Sequence, residues 1–262
     1  MKTTGPRALW TIAELMTVVM ARELRPAEVA VMGAVSLLPQ AACRLAQSTN
    51  APGLWWVAGG SGAVNPHPSG LVESSCDQRL LAAETALPLP EVVLLEGRGD
   101  IFDVFFAGGL QIDARGSCNL VAVGDWSRPR LRGPGGVGLS FLPRAGRVVI
   151  YTTAHTPRTF VERVDFVSGP GFVDGLEAGR GPSLVVTPLC TIDFAPSTHA
   201  PRLRSLHPGV SVDEVRSATG FELICAEPPP ATPEPTAAEL GALREIDSTG
   251  LLRHEPAPRR TP

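Results

Sequence analysis

Lysine is nearly missing from this chain: of its 23 basic residues only Lys2 is not arginine. Alongside abundant alanine, glycine and proline, that reads as a compositional bias and not as phosphate recognition. Excess positive charge is missing too, since 26 acidic residues leave a formal net charge of −3, so nothing favours a nucleic-acid partner. The five cysteines, Cys43, Cys76, Cys118, Cys190 and Cys225, stand at least 33 residues apart and form no C-x-x-C pair. Neither a zinc site nor a disulfide framework is suggested, and a reducing cytoplasm is the expected compartment. No apolar run approaches the roughly 18 residues of a membrane helix. Glu14, Arg22 and Glu23 break the first apolar segment, which therefore does not read as a signal peptide. One local absence stands out: no aspartate or glutamate occurs anywhere from residue 29 to 72, a span of 44 residues.

What is present is enough for a core. Hydrophobic residues make up 44% of the chain and mean hydropathy is +0.11, so 27 glycines and 26 prolines do not imply disorder. Residues 8–23 have helical periodicity through Leu9, Ile12, Leu15, Met16 and Val19. An apolar run at 29–32 then reaches Gly33, and the segment 36–39 (SLLP) is followed by a helical stretch to about Gln47. A turn at 50–53 precedes a second buried strand, 54–58, which runs into glycines at 59, 60 and 62. Short apolar runs at 104–107, 120–123, 148–152 and 184–187 follow the same grammar. Runs apolar on both faces suit parallel strands covered by helices. The expected fold is α/β, an open, mostly parallel sheet flanked by helices, over residues 1–225. A proline-rich connector and a C-terminal helix at 237–246, packing back on the body, should occupy 226–252, with a disordered tail at 253–262. Ligands of such sheets bind at the carboxyl ends of the strands, where the glycine turns gather.

Three glycine clusters are the candidate chemistry. Gly59, Gly60, Ser61 and Gly62 follow a strand directly, which allows a ligand close to the backbone or forms an ordinary tight turn. The segment 108–119 (GGLQIDARGSCN) brackets Gln111 and Asn119 between turns, and neutral amides there can hydrogen-bond a thioester or carboxylate. Its Asp113 and Gly116 also make a common turn signature, and Cys118 reads as a small buried residue, with no base beside it. Gly133, Gly135 and Gly136 form a nest suited to an oxyanion or a pantetheine arm. The preceding Arg128, Arg130 and Arg132 face either a phosphate or solvent. No Walker loop, G-x-S-x-G or H-E-x-x-H motif occurs, and the histidines are scattered, His207 in a turn-like L-H-P-G.

In order along the chain, these pieces resemble the beta subunit of the family I CoA-transferases, typified by glutaconate CoA-transferase. The resemblance rests on the Ala51-Pro52-Gly53 turn and strand 54–58, on 108–119, on Gly124-Asp125-Trp126 and on 133–136. It continues through 164–175 (VDFVSGPGFVDG), 207–222 (HPGVSVDEVRSATGFE) and 243–247 (LREID). It implies the CoA-transferase fold, an alpha subunit as partner in a heterodimer or α2β2 heterotetramer, an active site between the two, and coenzyme A only as part of an acyl-CoA substrate. No metal and no permanently bound cofactor are expected. Family transferases carry a catalytic glutamate eight residues after the alanine of the Ala-Pro turn, and that count ends here at Gly59. Because the surrounding 44 residues hold no carboxylate, no shift of register supplies another.

The resemblance is therefore to members lacking the glutamate, such as the steroid ring-opening CoA hydrolase beta subunit and the methylglutaconyl-CoA decarboxylase. The latter has a cysteine at this position, and the 133–136 and 124–126 segments look closer to the transferases. Hydrolytic C–C cleavage or decarboxylation is favoured. A genuine transferase subunit and a non-catalytic scaffold are the alternatives. The implied ligand-facing set is Gly59, Gly60, Ser61, Gly108, Gly109, Gln111, Asn119, Gly133, Gly135 and Gly136, with the acid/base carboxylate coming from the alpha partner. Glycine has no side chain to acylate. Incubation of the assembled enzyme with acyl-CoA, borohydride reduction and peptide mass mapping should accordingly find no adduct on the peptide carrying Gly59, nor a glutamyl-CoA adduct on either chain.

Overall fold

The structure is a computed structural model that describes residues 9–177 and 179–253. Helix α1 (Ile12–Arg22) starts in a capping box: the Thr11 hydroxyl accepts the Glu14 N–H, and the Glu14 carboxylate accepts the Thr11 N–H. Strand β1 (Val29–Met32), helix α2 (Leu37–Ser48) and strand β2 (Trp55–Ala58) form a parallel βαβ unit. Strands β3 (Ala63–Val64) and β4 (Thr85–Ala86) extend that edge antiparallel. Helix α3 (Leu89–Glu96) leads to β5 (Val104–Ala107), which pairs with the other side of β1. Two small ribbons follow, β6 (Gln111–Ile112) with β7 (Cys118–Asn119) and β8 (Ala122–Val123) with β9 (Leu131–Arg132). Strands β10 (Arg147–Tyr151) and β11 (Pro182–Val186) continue the parallel sheet. Strands β12 (Cys190–Phe194) and β13 (Pro201–Leu206) reverse direction, and α4 (Val212–Ala218) connects to β14 (Ile224–Cys225). Helix α5 (Ala237–Ile246) is the last of the described helices.

The ten-stranded order is β14-β13-β12-β11-β10-β5-β1-β2-β3-β4, with five consecutive parallel strands, β11 to β2, at its centre. Alternate side chains of these strands enter two cores. Ala30, Met32, Trp56 and Phe106 pack beneath α1 and α2 with Leu15, Met16, Met20 and Leu45. Val31, Val57, Phe105, Val148 and Ile150 face the opposite layer with Phe160 and Ile192. Both faces are covered, which is why these strands are apolar throughout.

The strands at 29–32, 54–58, 104–107, 148–152 and 184–187 and the helix at 237–246 are present within two residues, whereas the helix read over 8–23 starts only at Ile12, after its Thr11 cap, and α2 already starts at Leu37, ahead of Pro39. Segment 120–123 does not join the main sheet: Asn119 accepts the Val121 and Ala122 N–H groups and donates to the Ala122 carbonyl, turning the chain there, and only Ala122 and Val123 pair, in the β8–β9 ribbon. Strands β12 and β13 escaped the apolar pattern because polar side chains such as Asp193, Arg202 and Arg204 punctuate them. Trp56 is fully buried, whereas Trp55 is 46% exposed.

Residues 226–236 link β14 to α5, held by paired backbone bonds between Leu206 and both Pro230 and Thr232. Helix α5 packs Leu240, Leu243 and Ile246 against the body. Two ion pairs fasten it to α1: Arg22 with Glu239 at 2.7 Å and Arg244 with the buried Glu14 at 2.9 Å. The Asp247 carboxylate accepts the Leu251 and Leu252 N–H groups, so the following turn is bound as well. Of the tail expected at 253–262, all but Arg253 lies outside the described residues. No described helix is long and apolar enough to cross a membrane.

A buried polar network ties β11, β12 and β13 to the connector. His207 Nε2 lies 2.8 Å from the Thr187 carbonyl, which can only accept, so this nitrogen carries the proton and Nδ1 accepts from Thr232. His155 stacks on Phe160 and bonds Thr187 and Thr219 through its two nitrogens. Burial, with a smaller contribution from His207, holds His155 down at about 4. Burial also lowers His207, offset in part by its bond to Thr187. These imidazoles are neutral in the fold, whereas the unfolded chain protonates them below about pH 6.5. Stability should therefore be complete above that pH and decline toward pH 4, His155 contributing roughly 3 kcal/mol of the loss. Urea unfolding across this range checks it: His155→Gln should have a shallower pH slope than the wild type.

Candidate active site

Strand β1 is flanked by β2 on one side and β5 on the other, so the chain reverses its direction of travel across the sheet at β1. At such a switch point the loops leaving adjacent strands part and leave a crevice. A cleft of about 1060 Å³ opens there, above Met32, Gly33, Gly59 and Gly108. Its walls come from α2, from α3 and from the glycine loop after β9, and Leu251 and Leu252 form part of its rim.

The floor is built from backbone held in close register. The Gly59 N–H donates to the Met32 carbonyl at 3.0 Å, continuing the β1–β2 ladder one step past the strands. A Cβ on Gly59 would lie 2.5 Å from that same oxygen, so the site excludes a side chain by geometry as well as by sequence. Beside it, the wholly buried Ser75 donates to the Gly33 carbonyl and accepts the Gly60 N–H, bridging the ends of β1 and β2. A Cβ on Gly60 would overlap the Cys76 Sγ, which therefore stands at the cleft floor.

Helix α2 begins at the same place. Its N-cap, Ser36, donates its hydroxyl to the Gly33 carbonyl and accepts no helix N–H. The first-turn amides of Leu37 and Leu38 thus have no side-chain cap, and both residues line the cleft. The positive end of the helix dipole favours developing negative charge there. Tyr151 fixes the loop by donating to the Val35 carbonyl at 2.7 Å, and burial raises its phenol.

The ten residues expected to face ligand divide into two groups. Gly59, Gly60, Gly108, Gly109 and Gly135 all line the cleft. Ser61, Gln111, Asn119, Gly133 and Gly136 do not. The Gln111 and Asn119 amides are buried and engaged: Asn119 Nδ2 donates to Gln111 Oε1 at 2.7 Å, Gln111 Oε1 also accepts the Asp165 N–H, and Gln111 Nε2 donates to the Asp165 carboxylate. With its Ala122 and Val121 bonds, Asn119 has no capacity left for a ligand. Gly133 and Gly136 shape the loop, since a Cβ would overlap the Leu120 carbonyl at the first and approach Ser168 to 2.9 Å at the second. Ser61 turns back toward Ala58. Arg128, Arg130 and Arg132 are exposed, Arg132 lying 4.8 Å over the Trp126 ring. Cys118 is buried, its thiol pushed up to about 12 chiefly by desolvation, so it is no nucleophile.

Sequence reasoning missed Glu96, at the end of α3. It is the only charged side chain among the described cleft-lining residues, and burial raises it to about 7. Nothing in its local pattern marks it, because its environment comes from residues some forty positions further along. No cluster of three or more possible metal ligands occurs among the described residues.

The sequence profile of the Coenzyme A transferase family matches residues 13–218. The chain is 31% identical over 249 residues to the B subunit of 3-oxoadipate CoA-transferase from Pseudomonas knackmussii, covering 92% of this chain and 95% of that one. It is 30% identical over 257 residues to the cholesterol ring-cleaving hydrolase IpdB subunit of Mycobacterium bovis, covering 93% and 97%. The crystal structure of the decarboxylase AibA/AibB superposes with a TM-score of 0.81 at 26% identity, covering 93% of this chain and 97% of that one.

The packing at residue 59 makes a prediction. Gly59→Ala should destabilise the fold by about 1–3 kcal/mol, because the new methyl has only the Met32 carbonyl to displace. Gly59→Glu should cost at least as much and should not form a covalent CoA adduct. Urea midpoints and intact-mass analysis after acyl-CoA exposure read the two outcomes.

Proposed function

Because the chain belongs to the Coenzyme A transferase family, we propose that it is the beta subunit of a heteromeric acyl-CoA-processing enzyme that cleaves a C–C bond, by hydrolysis or decarboxylation. The observation that carries this reading is Gly59, which stands where a transferase needs its glutamate and is backed by a carbonyl that a Cβ would approach to 2.5 Å. Covalent exchange of CoA through this chain has no nucleophile at that position.

The rest of the cleft suits a reaction passing through a thioester enolate. In decarboxylation of a 2-enoyl thioester such as glutaconyl-CoA, the bond between the carboxylate carbon and the γ-carbon breaks, its electron pair passes through the C=C bond into the thioester as a dienolate, and carbon dioxide leaves. In hydrolysis, water adds to a ketone carbon, and cleavage of the adjacent C–C bond yields a carboxylic acid and a thioester enolate. Either route places negative charge on the thioester oxygen. Uncapped amides at the start of α2 and the open backbone at Gly108 and Gly109 offer donors of fixed position, the kind of preorganised environment that stabilises such charge. Gly59, Gly60 and Gly135 let the thioester and pantetheine approach closely, and Gly133 and Gly136 hold the loop that carries Gly135. CoA is needed only as part of the substrate. The two sequence relatives named above are subunits, and the AibA/AibB decarboxylase is two-component by name, which supports an alpha subunit closing the cleft.

The assembled complex with its alpha subunit tests this, using 3-oxoadipyl-CoA and glutaconyl-CoA as probes with propionate as competing acceptor. The expected products are succinate and acetyl-CoA from the first by hydrolysis, or carbon dioxide and a four-carbon enoyl-CoA from the second by decarboxylation, with CoA still attached and no propionyl-CoA. Accumulation of propionyl-CoA would establish a transferase instead.

A further inference from the structure

We propose that Glu96 is a proton-transfer residue of this cleft, the group of this chain that delivers a proton to the α-carbon of the acyl-CoA enolate. The proposal rests on the acyl-CoA reading above, and it adds a catalytic group where that reading assigned the acid/base carboxylate to the alpha partner alone.

Three observations converge on the residue. Glu96 is 8% exposed yet lines the cleft, and its Oε2 has no hydrogen-bond partner. A buried carboxyl oxygen without a partner is costly, so its retention beside the cleft calls for a reason, of which a catalytic role is one. The surroundings are apolar: Leu89, Val93, Phe105 and Leu139 line the same region, and no other described lining residue is charged. Finally, the fold reserves space for the carboxyl. Gly138, at φ +82°, closes over it, and a Cβ there would sit 2.5 Å from Oε2.

The electrostatic setting agrees. Desolvation alone raises the group to about 7, with no neighbouring charge contributing. Among the charged groups on the packed elements, Glu91 lies in the first turn of α3, and Arg144, after Gly138, donates to the Gly97 carbonyl rather than to Glu96. The other titratable groups lining the cleft are Cys76 and Tyr151. A carboxyl of this kind is partly protonated near neutral pH, the condition a general acid requires. In the proposed step the Glu96 O–H bond breaks and a C–H bond forms at the enolate α-carbon. The thioester carbonyl is restored, and the resulting carboxylate regains its proton from water. The reverse step removes an α-proton from a bound acyl-CoA.

That reversal gives the test. The assembled complex is placed in deuterated buffer with glutaryl-CoA or butyryl-CoA, and exchange of the α-hydrogens is followed by mass spectrometry, with affinity for the same thioester measured in parallel. Glu96→Gln keeps the shape of the side chain and is expected to slow exchange by about 10²-fold or more while leaving the dissociation constant within twofold. The wild-type exchange rate should follow one ionisation near neutral pH, and the variant should lose it, a change that a purely structural role would not produce. Exchange equal in the two proteins, or absent from both while the thioester binds, overturns the role of Glu96 and leaves the acyl-CoA reading standing. Failure of the wild-type complex to bind either thioester overturns both. Should Glu96→Gln fail to assemble, the wild-type pH profile decides: no ionisation near neutral pH overturns the proposal.

Discussion

A single hydrogen bond, from the Gly59 N–H to the Met32 carbonyl, organises the region on which the molecule's chemistry depends. It extends the parallel β1–β2 ladder beyond the strands, so the two chain segments leave the sheet together and the cleft floor is formed by main chain. It also points the Met32 oxygen at the place a Cβ would take. The same contact that closes the ladder thus closes position 59 to side chains. Ser75 repeats the device one step further on by joining Gly33 to Gly60, and the first turn of α2 is carried to the cleft by the same loop.

That floor would be of little use without the frame that keeps it in place. Five parallel strands are buried on both faces, and α1 and α2 cover one face through a core centred on Trp56, Phe106 and Leu15. The C-terminal helix adds two ion pairs to α1, one involving the buried Glu14. Its following turn reaches the cleft rim at Leu251 and Leu252. The opposite layer is stabilised differently, by a histidine and hydroxyl network whose imidazoles are neutral. The two halves of the sheet should therefore respond differently to acid: the network side is the one that protonation disfavours.

The cleft itself is a mainly apolar space whose polar features are uncapped helix amides, the hydroxyls of Thr11, Ser36, Thr152 and Thr153, a thiol, a phenol engaged with backbone, and one carboxyl. In such a space each polar feature counts more than it would in water, because there is little solvent to screen it. A helix N-terminus at one end and a carboxyl raised to about 7 at the other are consistent with chemistry at the α-carbon of a thioester. The relatives, a transferase subunit, a hydrolase subunit and a decarboxylase, illustrate that one scaffold serves different reactions.

Much of this was legible in the order of residues. Apolar runs ending in glycine located the central strands, and helical periodicity located α1, α2 and α5, because these signals are local. The identity of residue 59 and the acid-free span around it excluded a glutamate nucleophile without any coordinates, since a missing side chain is a fact of composition. Five of the ten expected site residues reach the cleft, all of them glycines at strand ends or in the loop after β9. Only tertiary structure decided the rest. Gln111 and Asn119 satisfy one another across the β6–β7 ribbon, a pairing that depends on register and not on residue type. Glu96 is an ordinary glutamate in the sequence, and it becomes a proton-transfer candidate because Gly138, 42 positions later, folds over it together with the apolar lining and removes water.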